Sequence, residues 1–406
     1  MANHQILITA WFFPFCLGAT AIPISLGPPP VAIAPANLSL KNEVQHAIDK
    51  GIDWLKTQQN TNGAWSAEDY PAITALVLTA CMGDPAETIR SNRPAFVKRG
   101  YDFLTGCVQP DGGIYRTNLA NYNTSLALMA LVAARDAQYD TIMRRARNFI
   151  VGQQNDLGEK GKMDTPWDGG IGYGSKGDHA DMSNTLLALE ALYYSEYLVK
   201  DAGGSKTLME MKDLNWAAAI GFIQRCQNLS SHNQESWVTD DPKNKGGFVY
   251  YPGHSMAGEE KLPSGKVALR SYGSMSYAGM LSYIYAQVKR DDPRVQAVYD
   301  WLRNNFTLDE NPGMAAQGLY YYYHLMAKTL SVYGEDVLVL NDGKTIRWRD
   351  ELAKRLLDLQ DNKGYWVNRN NRWWEKDPVL VTAYTIIALD YIAIGMRSGP
   401  GDVLDR

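Results

Sequence analysis

Apolar residues along this chain fall into two alternating patterns. In the first, an apolar stripe at helical spacing runs between charged positions, as in AIDKGIDWLKTQQ from Ala47. In the second, nearly every position is apolar, as from Ala72 to Ala80. The first pattern predicts an amphipathic helix on an outer layer, and the second a helix buried around most of its girth. A turn containing Gly, and usually an aromatic, separates them.

The pair recurs six times. Amphipathic segments, three of them taken with their turns, at Ala47–Trp65, Lys98–Tyr115, Arg144–Gln154, Ala217–Gln227, Val295–Phe306 and Glu351–Trp366 precede apolar runs at Ala72–Ala80, Thr124–Leu131, Leu186–Leu192, Met275–Tyr285, Gln317–Leu330 and Leu380–Ile392. One such hairpin cannot bury its apolar face alone, so neighbours must stack. The terminal copies are as apolar as the middle ones, which favours a closed ring over an open solenoid with polar caps. The expected fold is all-α, an α/α toroid of six helical hairpins with twelve helices in two layers, over residues 41–396. Insertions at Asp156–Pro166, Asn228–Lys245 and Gly253–Lys266 are expected as loops on the face where the hairpins turn.

Residues 1–35 differ from the rest. An apolar run, Ile6 to Ala21, leads into a Pro-rich stretch with Ala32-Ile33-Ala34. This predicts a signal peptide or an N-terminal apolar anchor, and hence export. Residues 397–406 are a short tail, and after Leu40 no other segment reads as a bilayer span. Net charge is −4 with 21% charged residues, which leaves no basic surface for nucleic acid. Four cysteines without a C-x-x-C pair argue against a thiolate metal site and for buried thiols.

Candidate chemistry gathers where the third apolar run begins, at Gly169-Gly170-Ile171, Tyr173, Asp178, His179 and Asp181-Met182-Ser183-Asn184-Thr185. Asp, Ser, Asn and Thr ahead of a Leu/Ala run are helix-capping residues. Asp178, His179 and Asp181 are also the nearest thing here to an acid/base cluster, and the sequence leaves both roles open. Other inner helices begin with Tyr70, with Tyr122 and Asn123, with Tyr272 and Tyr277, and with a tyrosine run ending Tyr323-His324. In a toroid these starts converge on one mouth, so they are candidate ligand contacts; packing is the alternative for each.

The repeat turn resembles the QW repeat of squalene and terpene cyclases, with Lys50-Gly51, Trp54-Leu55, Gln59, Gly63 and Trp65 the best-matched copy and the fifth, with Phe306 in place of Gln, the poorest. The resemblance implies a squalene-hopene-cyclase-like or prenyltransferase-like toroid with a central aromatic cavity for an isoprenoid. In that family an Asp-x-Asp-Asp-Thr motif opens an inner helix and its middle Asp protonates the substrate. Here Asp181, Asn184 and Thr185 align with it, while Ser183 stands at the acid position. A hydroxyl is too weak an acid to protonate an alkene, so the resemblance implies the cavity without the usual proton-initiated cyclisation. The zinc-binding Asp-x-Cys of protein prenyltransferases is absent, as is the Gly-Cys-Gly-Glu-Gln thioester of complement-type toroids. No metal and no cofactor is expected. The expected partner is a hydrophobic, isoprenoid-like small molecule, with a membrane surface as a secondary option. Two other readings fit the same fold, a non-catalytic exported binding toroid and a carbohydrate-active hydrolase or lyase.

Overall fold

A computed structural model describes residues 38–174, 179–200 and 211–397. The leader, Cys16, Asp178 and all but the first residue of the tail lie outside the described residues.

Twelve helices form the two layers. The outer ones are α1 (Leu38–Thr57), α3 (Ala95–Thr105), α5 (Asp140–Val151), α7 (Trp216–Arg225), α9 (Pro293–Asn304) and α11 (Trp348–Asp358). The inner ones are α2 (Pro71–Gly83), α4 (Ala120–Ala134), α6 (Met182–Tyr194), α8 (Gly273–Tyr285), α10 (Leu319–Tyr333) and α12 (Pro378–Arg397). Each predicted apolar run falls on an inner helix. The inner helices pack in chain order, α2 on α4, α4 on α6, and so on to α12, which packs back on α2. The ring is therefore closed, as the apolar terminal copies require.

The repeat turn is built the same way in most copies. Gln59 Nε2 donates to Gly63 O in its own turn (3.0 Å) and to Phe96 O at the start of the next outer helix (2.8 Å). Gln154 likewise bonds Gly169 O and Asn215 O, Gln227 bonds Gly246 O and Arg294 O, and Gln360 bonds Gly364 O and Ala47 O. The last of these joins the sixth hairpin to the first. The turn glycine must be glycine. At Gly169 φ is +85° and a Cβ would lie 2.0 Å from Ala218 O on the next outer helix. The residue two beyond it donates its backbone N–H to a hydroxyl near the start of the inner helix: Trp65 to Thr74, Ile114 to Thr124, Ile171 to Thr185, Phe248 to Ser276, Trp366 to Thr382. Thr185 is thus the third copy of a repeated anchor.

Two features differ from expectation. The third insertion is a β-hairpin, with β1 (Glu259–Lys261) antiparallel to β2 (Val267–Leu269). One segment after Leu40, Pro378–Met396, is long and apolar enough to cross a membrane, yet it is mostly buried as the inner helix α12. Cys81, Cys107 and Cys226 are free and buried.

Candidate ligand cavity and its polar groups

The inner helices enclose a cavity of about 910 Å³. Its middle is walled by leucine and isoleucine, including Leu76, Leu126, Leu187, Leu325 and Ile387. Tyrosines dominate the end where the inner helices begin. Tyr70, Tyr122, Tyr173, Tyr272 and His324, all singled out from the sequence, are on this wall, and Tyr250, Tyr321 and Tyr384 join them. Their rings pack on one another, with Tyr321 5.7 Å and His324 5.2 Å from Tyr384. Tyr122 Oη lies 3.5 Å from Tyr384 Oη, and burial pushes the Tyr122 phenol up to about 12. Trp373 and Trp374 stand at this mouth, about half exposed, and Trp374 meets Tyr70 edge-on at 4.5 Å.

Three candidate contacts are elsewhere. The side chain of Asn123 is spent on backbone, accepting from Ala72 N and donating to Asn118 O and Leu119 O. Tyr277 is buried against Tyr322, off the cavity wall. The Tyr323 hydroxyl donates to Leu308 O and its neighbour is Arg355, toward the outer layer. His179 is exposed, and its ring packs on Tyr251 (4.4 Å) and Trp167 (5.2 Å), neither of them cavity residues.

Asp181 is the N-cap of α6. Its Oδ1 accepts from Asn184 N (2.9 Å) and its Oδ2 from Asn184 Nδ2 (2.7 Å), and the Tyr250 hydroxyl also bonds it. It is fully buried, and burial outweighs these bonds and pushes its carboxyl up to about 7. Asp181 is not on the cavity wall. Ser183 is, with its Oγ 3.7 Å from Met275 Sδ. The position that faces the cavity carries the hydroxyl, and the carboxylate lies behind it as a helix cap.

The far end of the cavity, where the inner helices finish, holds charged groups that were not anticipated. Lys328 on α10 donates to Glu190 on α6 at 2.7 Å, both nearly fully buried. Asp390 on α12 and Asp84 just after α2 are each 4% exposed. Burial, with Asp84 adding repulsion, holds the Asp390 carboxyl well above the usual range. Burial, with Lys328 adding repulsion, holds the His324 imidazole well below its ordinary value. Each of Glu190, Lys328 and Asp390 is a lone charge inside an otherwise apolar run (LLALEAL, HLMAKTL, IIALDYIAI), and that interruption is the signal that marks them. Among the described residues no three His, Cys, Asp or Glu side chains are grouped as metal ligands would be.

No family model matches the chain, and no curated protein sequence does. Solved structures do. The type II terpene cyclase MstE from Scytonema, in complex with geranylgeranyl dihydroxybenzoate, superposes with a TM-score of 0.51 at 12% identity, over 88% of this chain and 99% of that one. The apo MstE structure gives 0.50 at 13% identity, over 87% and 99%. A family 76 glycoside hydrolase from a bovine Bacteroides thetaiotaomicron strain gives 0.50 at 9% identity, over 87% and 78%. At such identities the likeness establishes the fold alone. The chain is an α/α toroid, the fold these cyclases and the hydrolase share.

Proposed function

We propose that this protein holds an isoprenoid-like lipid in its central cavity, as a carrier or sensor and not as a cyclase that takes its proton from the start of α6. The observation that carries this reading is the cavity itself, about 910 Å³ walled by aliphatic side chains and tyrosine rings. That volume is at the upper end of small-molecule sites, and such a wall suits a long branched hydrocarbon. The MstE complex with geranylgeranyl dihydroxybenzoate supports the reading by showing a ligand of this class with a cyclase of the same fold.

The start of α6, where Asp181 and Ser183 stand, offers no acid for that chemistry. Alkene protonation needs a carboxylic O–H in contact with the reacting carbon. Asp181 has both oxygens engaged by Asn184 and sits off the wall, and Ser183 offers only a hydroxyl. A sugar substrate would want polar partners along its length, and the middle of this cavity presents leucine and isoleucine.

A calorimetric titration with geranylgeraniol tests the proposal. Saturable binding is expected, weakened at least about tenfold in Leu187→Trp, which fills the middle of the cavity. Unchanged affinity in that variant would place the ligand elsewhere and overturn the reading.

A further inference from the structure

The two ends of the cavity are chemically unlike. One is tyrosine-lined. The other holds three buried carboxyls, Asp84, Glu190 and Asp390, against one buried ammonium, Lys328. Lys328 is already committed to Glu190 at 2.7 Å, and the Tyr285 hydroxyl lies 3.4 Å from the same oxygen. Two carboxyls are left over.

Asp84 is partly served. Its Oδ1 accepts from Gln45 Nε2 (2.8 Å) and Ala86 N (3.0 Å). Asp390 is not. Its Oδ1 is buried with no hydrogen-bond partner, and its Oδ2 lies against Gly83, where a Cβ would come within 2.8 Å. A buried carboxyl lacking hydrogen bonds costs free energy until something supplies them. Asp84 and Asp390 are both on the cavity wall, along with the rings of Tyr194 and Tyr391. Carboxyls in excess beside aromatic faces are the surroundings an ammonium group prefers.

We propose that Asp390 and Asp84 form a head-group site for a cationic amphiphile, a lipid with a primary amine at one end whose apolar chain lies along Leu126, Leu187 and Ile387. The site rests on the lipid reading above and gives the lipid a direction, amine toward the ends of the inner helices and chain toward the tyrosines. The ammonium supplies hydrogen bonds to the Asp390 carboxyl from the cavity side. A neutral amine takes the Asp390 proton as it docks, so that ammonium and carboxylate form together and no unpaired charge is buried. An alcohol head leaves the carboxyl excess uncompensated, and a carboxylate head adds to it.

The test uses the full chain and three probes that share one C20 chain, geranylgeranylamine, geranylgeraniol and geranylgeranoic acid. Binding is followed by the change in tryptophan fluorescence, to which Trp373 and Trp374 at the cavity mouth contribute. The amine is expected to bind at least about tenfold tighter than the alcohol, with the acid weakest. In Asp390→Asn, and separately in Asp84→Asn, the ratio of amine to alcohol affinity is expected to fall toward one. The ratio in the unmodified protein is informative even where a variant does not fold. Equal affinity for amine and alcohol, or a ratio that survives both substitutions, overturns the head-group site and leaves the lipid reading standing. Failure of all three probes to bind overturns both.

Discussion

Lys328 reaches Glu190 across 138 positions of sequence to form a 2.7 Å ion pair inside the ring. The two residues stand on α10 and α6, which are not neighbours in the ring, because α8 lies between them. The pair therefore forms only once α6, α8 and α10 are packed together, and it sits on the wall of the cavity.

Removing one partner leaves an uncompensated buried charge. Lys328→Met is expected to cost about 3–5 kcal/mol in urea denaturation, and Glu190→Gln a comparable amount. Replacing both removes the stranded charge, so the double variant should be more stable than either single one. Additive losses in the double variant would show that the two side chains do not compensate each other.

Ring closure has its own hydrogen bond. Gln360 Nε2 donates to Ala47 O on α1 at 2.9 Å and to Gly364 O at 2.9 Å. Gln360→Leu removes both bonds at the seam and leaves the Gly364 carbonyl without this donor, with an expected loss of about 1–3 kcal/mol. Hydrogen exchange should quicken in α1 and α11 first, since those helices meet at the seam. Uniform quickening around the ring would mean that this bond does not govern closure.

Asp181 makes a prediction with a definite sign. Its carboxyl is pushed up to about 7 in the folded chain against 3.8 for an Asp side chain free in water. The folded state therefore binds the proton more tightly, and its ionisation takes stability away as pH rises from about 4 to about 7, with nothing further lost above that. Asp181→Asn has no such proton. Stability of the unmodified protein minus that of the variant should fall by roughly 4 kcal/mol across this window. A difference that is flat, or that rises with pH, would show Asp181 to be a stabilised carboxylate instead.

The fold was legible because it repeats. An apolar stripe followed by an all-round apolar run identifies outer and inner helices wherever it occurs, and six copies leave little choice of architecture. Even the poorest copy has a physical substitute. Where the fifth repeat lacks the turn glutamine, Asn311 braces it, accepting from Ser274 N (2.9 Å) and donating to Gln317 O (3.0 Å).

The cavity was legible at one end only. Helix starts were the guide, and Tyr70, Tyr122, Tyr173, Tyr272 and His324 do line the wall. Successive helix residues point about 100° apart at 3.6 residues per turn, so position in a run does not say which side chain turns inward. His324 faces the cavity while Tyr323, one residue earlier, bonds Leu308 O. Asn123 went to the backbone although Tyr122 beside it did not. The charged end was missed because its members come from late in α6, α10 and α12 and from the residue after α2. Glu190 and Lys328 are solitary charges whose partner lies on another helix, and Asp390 is a solitary carboxyl whose Oδ1 has no partner.

Lipid extraction and mass spectrometry of the purified chain test the central proposal most directly. A polyprenoid-like molecule recovered near one per protein, and absent from Leu187→Trp purified in the same way, is the expected result. Protein that carries no lipid as isolated and takes up none when geranylgeraniol is supplied would contradict it.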